Sequence, residues 1–361
     1  MGIMQSLFGG GSQSLLGLDI STSSVKLLEL SQRGERYHVE SYAAEALPPN
    51  AVTDKQIVEV EVVGQAILRA VARAGTRTKH AAAAVAGSSA ITKVIAMPDS
   101  LRLQDMEEQI KVEADQYIPY PIEEVNLDFE ILGPSEGTPD SVDVLLAACR
   151  SEQIENLSAA MEIGGLTPRV IDIETYAMEN ACQLLKHQMP EQGAGKVIAV
   201  VDMGATSTSV MVLHDLKTVY TRDQSFGGKQ LTEEIMRNFG MSAEEAGKAK
   251  KYGNLPETYE AEILPSFIDD MAQQIDRSFQ FFFSASSQFT TIDQVILAGG
   301  CAHIPNVDAM IQEKLQVAAA VARPFANMGV ASRAKPKQLA QEEGSLLVAC
   351  GLALRAFDER R

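Results

Sequence analysis

Two aspartates stand where a carboxylate can meet phosphate chemistry. Asp19 lies at the end of an apolar, strand-like run, Leu15-Leu16-Gly17-Leu18-Asp19-Ile20. A small polar turn follows, Ser21-Thr22-Ser23-Ser24, and a second strand returns as Val25-Lys26-Leu27-Leu28-Glu29-Leu30. About half a chain later Val197 to Val201 forms another buried-strand run ending in Asp202, followed by the turn Gly204-Ala205-Thr206-Ser207-Thr208 and the return Val210-Met211-Val212-Leu213. The backbone N–H groups of such a turn point inward, and its hydroxyls add donors, so it cradles phosphate oxygens. An aspartate at the strand end holds a hard cation against those oxygens. One such hairpin is ordinary; two, from two halves of a chain, can clamp one phosphate chain. A third piece, Ile296-Leu297-Ala298-Gly299-Gly300-Cys301-Ala302-His303-Ile304-Pro305-Asn306, ends a buried strand in paired glycines, where backbone can approach a flat ligand closely.

The repeated hairpin predicts two related lobes facing each other, since a tandem array has a shorter period. Other elements alternate between strand and helix, which gives an α/β class. Val60 to Ala74 has helical apolar spacing and stops at Gly75. His80 to Ala86 reads as a small-residue strand opening on Gly87-Ser88-Ser89. Leu103, Met106, Ile110, Ala114 and Tyr117 form one apolar stripe on a carboxylate-rich helix ended by Pro119 and Pro121. Val125 to Leu132 and Val142 to Ala148 read as strands around a polar loop, with a helix from Glu152 to Ile163 after them. Beyond a Gly193/Gly195 linker, Phe267, Ile268, Met271, Ile275, Phe279 and Phe282 make a strong helical stripe. Residues 325 to 340 read as loop, and Gly344 to Phe357 as a final helix rich in small residues.

Composition narrows the partners. The 361 residues are 45% hydrophobic and 22% charged, within the range of globular proteins. A net charge of −17 repels nucleic acid and anionic lipid surfaces. No apolar run approaches the roughly 20 residues of a membrane helix. The opening MGIMQSLFGGGSQS lacks the basic region and apolar core of a secretion signal. Cys149, Cys182, Cys301 and Cys350 fit no zinc spacing and sit in apolar stretches, as buried thiols do.

Taken together, the two hairpins and the glycine pair resemble the three nucleotide motifs of the actin/FtsA/DnaK/sugar-kinase superfamily, in the same order. The resemblance implies an actin-like, two-lobed, ribonuclease-H-type fold binding ATP and Mg²⁺. It places Asp19 and Asp202 on the metal-facing aspartates. Ser21, Thr22, Ser23 and Ser24 fall in the first phosphate turn, with Lys26 where actin carries a phosphate-contacting lysine. Gly204, Thr206 and Ser207 fall in the second turn, and Gly299 and Gly300 on the adenosine glycines. Phe226-Gly227-Gly228-Lys229-Gln230-Leu231-Thr232-Glu233-Glu234-Ile235 is similar to an FtsA-type segment over the nucleotide, which adds Gly228 and Lys229. Glu244-Glu245-Ala246-Gly247-Lys248 is similar to a ribose- and adenine-contacting stretch, which adds Glu245 and Lys248. Ile171 to Ala177 resembles the first connecting helix, with Glu174 at the water-orienting position and Asp202 its catalytic companion. Gly344 to Arg355 resembles the second connecting helix, and Ala177, Ala181 and Gly351 would let the two cross closely.

The stretch from Met97 to Gly133 resembles the extra subdomain of the type IV pilus assembly branch of these FtsA-related ATPases. This implies a first-lobe core at 14–96, an FtsA-like inserted subdomain at 97–168, a connecting helix at 169–192, a second lobe at 193–343 and a returning helix at 344–361. It implies a cytoplasmic ATP-binding adaptor, peripheral at the inner membrane, that binds the N-terminal tail of PilN. Such an adaptor links the PilN/PilO complex to the pilus motor ATPases and is at most a slow ATPase, because Ser21 replaces a turn glycine. A small-molecule kinase is the enzyme alternative, but no aspartate stands in a convincing context as its base. An FtsA-like filament protein is the third reading; the end, Leu354 to Arg361, is short for a membrane-binding helix.

Overall fold

A computed structural model describes residues 14–253 and 255–358; the segment MGIMQSLFGGGSQ and Glu359 to Arg361 lie outside the described residues. The repeated hairpin is the centre of two sheets with one topology. In the first, strands run Thr167–Ile173, His80–Val85, Leu16–Ile20, Ser24–Arg33, Arg36–Ala46, then the short Gly329–Val330. In the second they run Ala319–Val321, Gln294–Ala298, Val197–Met203, Thr208–His214, Lys217–Gln224. In each, the first three strands are parallel and the hairpin strands antiparallel. The central strands are nearly all apolar because both faces are covered. Asp19 pairs with Lys26 one step from the first hairpin's tip, and Asp202 pairs with Ser209 one step from the second's.

The helix Val60–Ala74 buries Val63, Ile67 and Ala70 against the first sheet. It ends where Gly75 turns left-handed at φ 63° and donates its N–H to the Val71 carbonyl. Leu264–Ala285 covers the second sheet with the expected phenylalanine stripe. The two connecting helices, Glu174–Cys182 and Leu347–Leu354, lie between the sheets, in a core that takes Leu28 and Tyr42 from one lobe and Ile198 and Met211 from the other. All four cysteines are free and buried.

Three stretches differ from the expectation. Ile171, Asp172 and Ile173 belong to a strand, because the alternating run pairs in parallel with Ala83 to Val85; the helix begins at Glu174. The stretch 344–357 is α-helical only over Leu347–Leu354, with tighter turns on either side. Residues 325–340 are not plain loop. Gly329–Val330 pairs beside His38 and Val39, and Pro336–Glu342 is a short helix started by its proline.

The insert is a three-stranded sheet of Ala90–Pro98, Ser141–Arg150 and Val125–Pro134 with the helix Leu103–Ala114 on one face. Met106, Ile110 and Ala114 are buried there, but Leu103 and Tyr117 at the stripe's ends are exposed. The helix Ser151–Ile163 packs on Val60–Ala74 in the first lobe, and Thr167–Ile173 is that lobe's outer strand. By packing, then, the insert spans Ala90 to Arg150 rather than 97–168.

The connecting helices touch backbone to backbone. A Cβ on Gly351 would lie 1.7 Å from the Ala177 carbonyl oxygen. Gly351→Ala should therefore destabilise by about 1–3 kcal/mol. The expected readout is a lower urea midpoint with an unchanged slope.

Candidate functional site

The tips of the two hairpins meet. Thr22 Oγ1 lies 3.2 Å from Thr206 Oγ1 across the gap between the lobes. Behind the first tip, Lys26 Nζ donates to Asp19 Oδ2 at 2.8 Å, and Asp19 is buried. Within that turn the Ser21 N–H and hydroxyl both donate to the Ser24 carbonyl, so Ser21 and Ser24 brace the loop. Ser23 is exposed, and its carbonyl accepts from Leu47 N–H. In the second turn Gly204 N–H donates to the Ser207 carbonyl at 2.9 Å, which closes the loop that carries Thr206.

Glycines make the floor on the second lobe. Gly299 has φ +83°, and a Cβ there would fall 2.4 Å from both Asp202 Oδ1 and the Met203 carbonyl. Gly228 N–H donates to the Gly204 carbonyl at 3.0 Å, and Lys229 N–H to the Ala205 carbonyl at 2.7 Å. The second turn, the Gly227–Gly228 corner and the Gly299–Gly300 corner are thus one packed unit. A Cβ on Gly300 would meet open space, and this glycine is exposed.

Not every expected contact points there. Lys229 is exposed, with Glu233 at 3.9 Å. Glu245 is spent on capping its own helix, accepting from the Ser242 N–H and hydroxyl. Lys248 lies on the exposed face and pairs with Glu244 at 2.6 Å. The inward face of that helix is set by Ala246, and four residues on it delivers Lys250 instead. Lys250 Nζ donates to the Gly228 carbonyl at 2.8 Å and to Thr232 Oγ1 at 2.7 Å, which ties the helix to the glycine floor. Burial pulls its pKa below the ordinary lysine value.

The cleft holds four carboxylates, Asp19, Asp202, Glu174 and Asp223, against two ammonium groups, Lys26 and Lys55. Burial raises the pKa of Asp202, with Asp19 adding to the rise and Lys26 opposing it. Burial likewise raises Glu174, opposed by Lys55, whose Nζ lies 2.9 Å from Glu174 Oε2. Burial also disfavours the charged Lys26, yet the Asp19 carboxylate bonded to it holds its pKa above the ordinary value. Among the described residues Asp202 has no hydrogen-bonding partner for its carboxylate; its neighbours Lys26 and Lys55 act on it through charge alone. Lys55 was not legible in the sequence: it stands in a short Asp54-Lys55 turn, and only the fold brings it to the cleft.

The two aspartates should therefore respond differently to substitution. Asp19→Ala leaves a buried ammonium unpaired and should cost about 3 kcal/mol. Asp202→Asn removes a buried charge without breaking a bond, and should leave the folded protein as stable or more so. Urea unfolding of both variants checks the contrast.

A solved structure of a PilM-PilN type IV pilus biogenesis complex is 28% identical with a TM-score of 0.76, covering 96% of this chain and 99% of that one. The ethanolamine utilization protein EutJ from Carboxydothermus hydrogenoformans shares the fold at 17% identity and a TM-score of 0.57, over 94% of this chain and 89% of that one. The architecture is the actin-like, two-lobed one expected from the paired hairpins. The family profile described as type IV pilus assembly protein PilM matches residues 17–357, and the chain belongs to that family.

Proposed function

We propose that this chain is an ATP-binding adaptor of the type IV pilus assembly machine, one that captures the cytoplasmic N-terminal tail of PilN. The observation that carries the nucleotide half is the convergence of the two aspartate hairpins on a glycine floor. The donor set fits Mg²⁺ and a phosphate chain. Asp202 offers a carboxylate with no protein hydrogen bond, Asp19 faces it, and a side chain at Gly299 would collide with Asp202. When bound, Mg²⁺ neutralises phosphate charge. Lys26 supplies positive charge to the same oxygens, and the Thr22 and Thr206 hydroxyls border the path between the tips. Gly228 and Gly299 let the second turn and its two glycine corners pack as one floor, Gly300 leaves open space beside it for the base and ribose, and Lys250 braces the corner. Glu174 is the residue to orient water, and its carboxylate is engaged by Lys55, which suits slow turnover. This reading favours an adaptor over a metabolic kinase.

The partner half rests on family membership and on the insert's open face. Thr92 and Val94 stand on the face of the three-stranded sheet opposite the helix Leu103–Ala114, and Leu145 and Ala147 share it. Tyr176 of the connecting helix lies beside Thr92, so this face and that helix make a corner, with Gly87 to Ser89 beside it. An extended tail fits such a corner. Asp128, Glu130 and Asp143 alternate onto the same face and would meet basic residues of the tail. The helix carboxylates Asp105, Glu107 and Glu113 face away and are taken by Arg102, Lys111 and Gln116. Among the described residues no helix is long and apolar enough to cross a membrane, so on this reading PilN brings the chain to the inner membrane, beside PilO and within reach of the motor ATPases.

Two experiments test these halves separately. Calorimetry should show ATP binding that Mg²⁺ strengthens, and Asp202→Ala should weaken it about tenfold or more; equal affinities would count against the site. A labelled PilN tail peptide should bind the wild type. Val94→Glu and Asp143→Lys should weaken it about tenfold, whereas Glu107→Lys should change nothing. The reverse pattern would move the groove to the helix side.

A further inference from the structure

Strand register places three polar residues in a row across the second sheet: Asp202 opposite Ser209, and Ser209 opposite Asp223. Ser209 Oγ donates to Asp223 Oδ1 at 2.6 Å. A first-lobe side chain docks on this row. Lys55 Nζ lies 3.0 Å from Ser209 Oγ and 3.6 Å from Asp223 Oδ2, while it donates to Glu174 Oε2 at 2.9 Å. Its ammonium therefore touches the second lobe and the start of the connecting helix at once. The backbone is built for this reach. Val52–Thr53 and Gln56–Ile57 form a tiny hairpin whose two turn residues, Asp54 and Lys55, both have positive φ, 49° and 60°. The two-residue hairpin turn itself imposes that conformation, and it sets Lys55 at the tip. The side chain is largely buried, and its charge is retained there: burial disfavours the ammonium, but Glu174 and Asp223 more than compensate.

We infer that Lys55 is a positioning residue, a charged bolt between the lobes that fixes Glu174 and holds the Asp202–Ser209–Asp223 row at a set distance from the first lobe. Lys26 does not do this, because its bonded partner, Asp19, is in its own lobe. Lys55 spans the gap with a buried, three-partner contact, and removing one partner of such a contact costs more than removing one of an exposed pair. Without it, the carboxylates of Glu174 and Asp223 stand near Asp19 and Asp202 with one ammonium fewer between the lobes. The consequence for nucleotide rests on the ATP reading above: a cleft already set to width binds more tightly than one that must first be brought together.

Lys55→Gly is the informative variant, because glycine adopts a positive φ freely and the turn keeps its shape. Spin labels on Gln65→Cys and Gln273→Cys report the lobe separation, since both positions are exposed and the native cysteines are buried. In the nucleotide-free full chain, Lys55→Gly should lengthen and broaden the distance distribution. Lys55→Arg, which keeps the charge, should restore most of it. The affinity for ATP should fall about tenfold in Lys55→Gly. Unchanged distances overturn the bolt, and so does an unchanged affinity in a protein that binds ATP. If the wild type itself binds no ATP, the nucleotide reading fails, while the distances alone still decide whether Lys55 joins the lobes.

Discussion

Everything in this molecule depends on how closely two helices can lie between two sheets. At Gly351 the closing helix presses its backbone onto Ala177 of the connecting helix, and at Gly17 the first strand does the same against the Ala349 carbonyl. Neither contact has room for a β-carbon. Because the helices sit this close, both sheets share one apolar core, and the tips of their hairpins face each other across a narrow gap. Close packing of this kind transmits displacement rather than absorbing it. A wider crossing would separate Asp19 from Asp202, and two hairpins would cease to be one site.

The second constraint is charge. Four carboxylates in a partly buried cleft are unstable on their own, and the fold meets them with two ammonium groups of different kinds. Lys26 balances Asp19 within a single hairpin, where strand register alone brings the pair together. Lys55 balances Glu174 at the head of the connecting helix and Asp223 in the other lobe, which takes tertiary structure. Asp202 is left with no bonded partner among the described residues, and its raised pKa reflects that burial. On the proposed reading this residual imbalance is offered to a hard cation and phosphates, since full internal pairing would leave nothing for a ligand.

The sequence exposed those parts of the structure that local rules determine. Both hairpins were legible because an apolar run, an aspartate and a small polar turn occur in order twice. The helix Val60–Ala74 was legible to the residue because its periodicity and its glycine cap agree. The misplaced start of the connecting helix shows the limit: Ile171-Asp172-Ile173 alternates as a strand does, and only its pairing beside Ala83 to Val85 settles which it is. Lys250 and Lys248 differ by two positions on one helix, and which one turns inward depends on the helix's rotation about Ala246. Lys55 had no local signal at all, since a lysine in a polar turn is ordinary until a second lobe is placed over it.

One short helix end joins the two halves of the proposed function. Glu174 points into the cleft and meets Lys55. Thr175 packs against Gly87, where a β-carbon would come within 2.7 Å of its hydroxyl. Tyr176 reaches the insert beside Thr92, and Ala177 carries the backbone contact with Gly351. Four consecutive residues thus face the cleft, the first lobe, the insert and the closing helix. A shift of this helix end moves all four contacts together: Glu174 is held by Lys55, the Thr175 hydroxyl abuts Gly87, Tyr176 lies beside Thr92, and Ala177 is pressed backbone to backbone on Gly351. On the proposed reading, nucleotide in the cleft and a peptide beside the insert would bias the same element. Whatever coupling they have would then be reciprocal, the peptide altering nucleotide affinity by the factor that nucleotide alters the peptide's. An adaptor needs this more than it needs rapid hydrolysis, and a glutamate held by a lysine at the head of that helix fits the requirement.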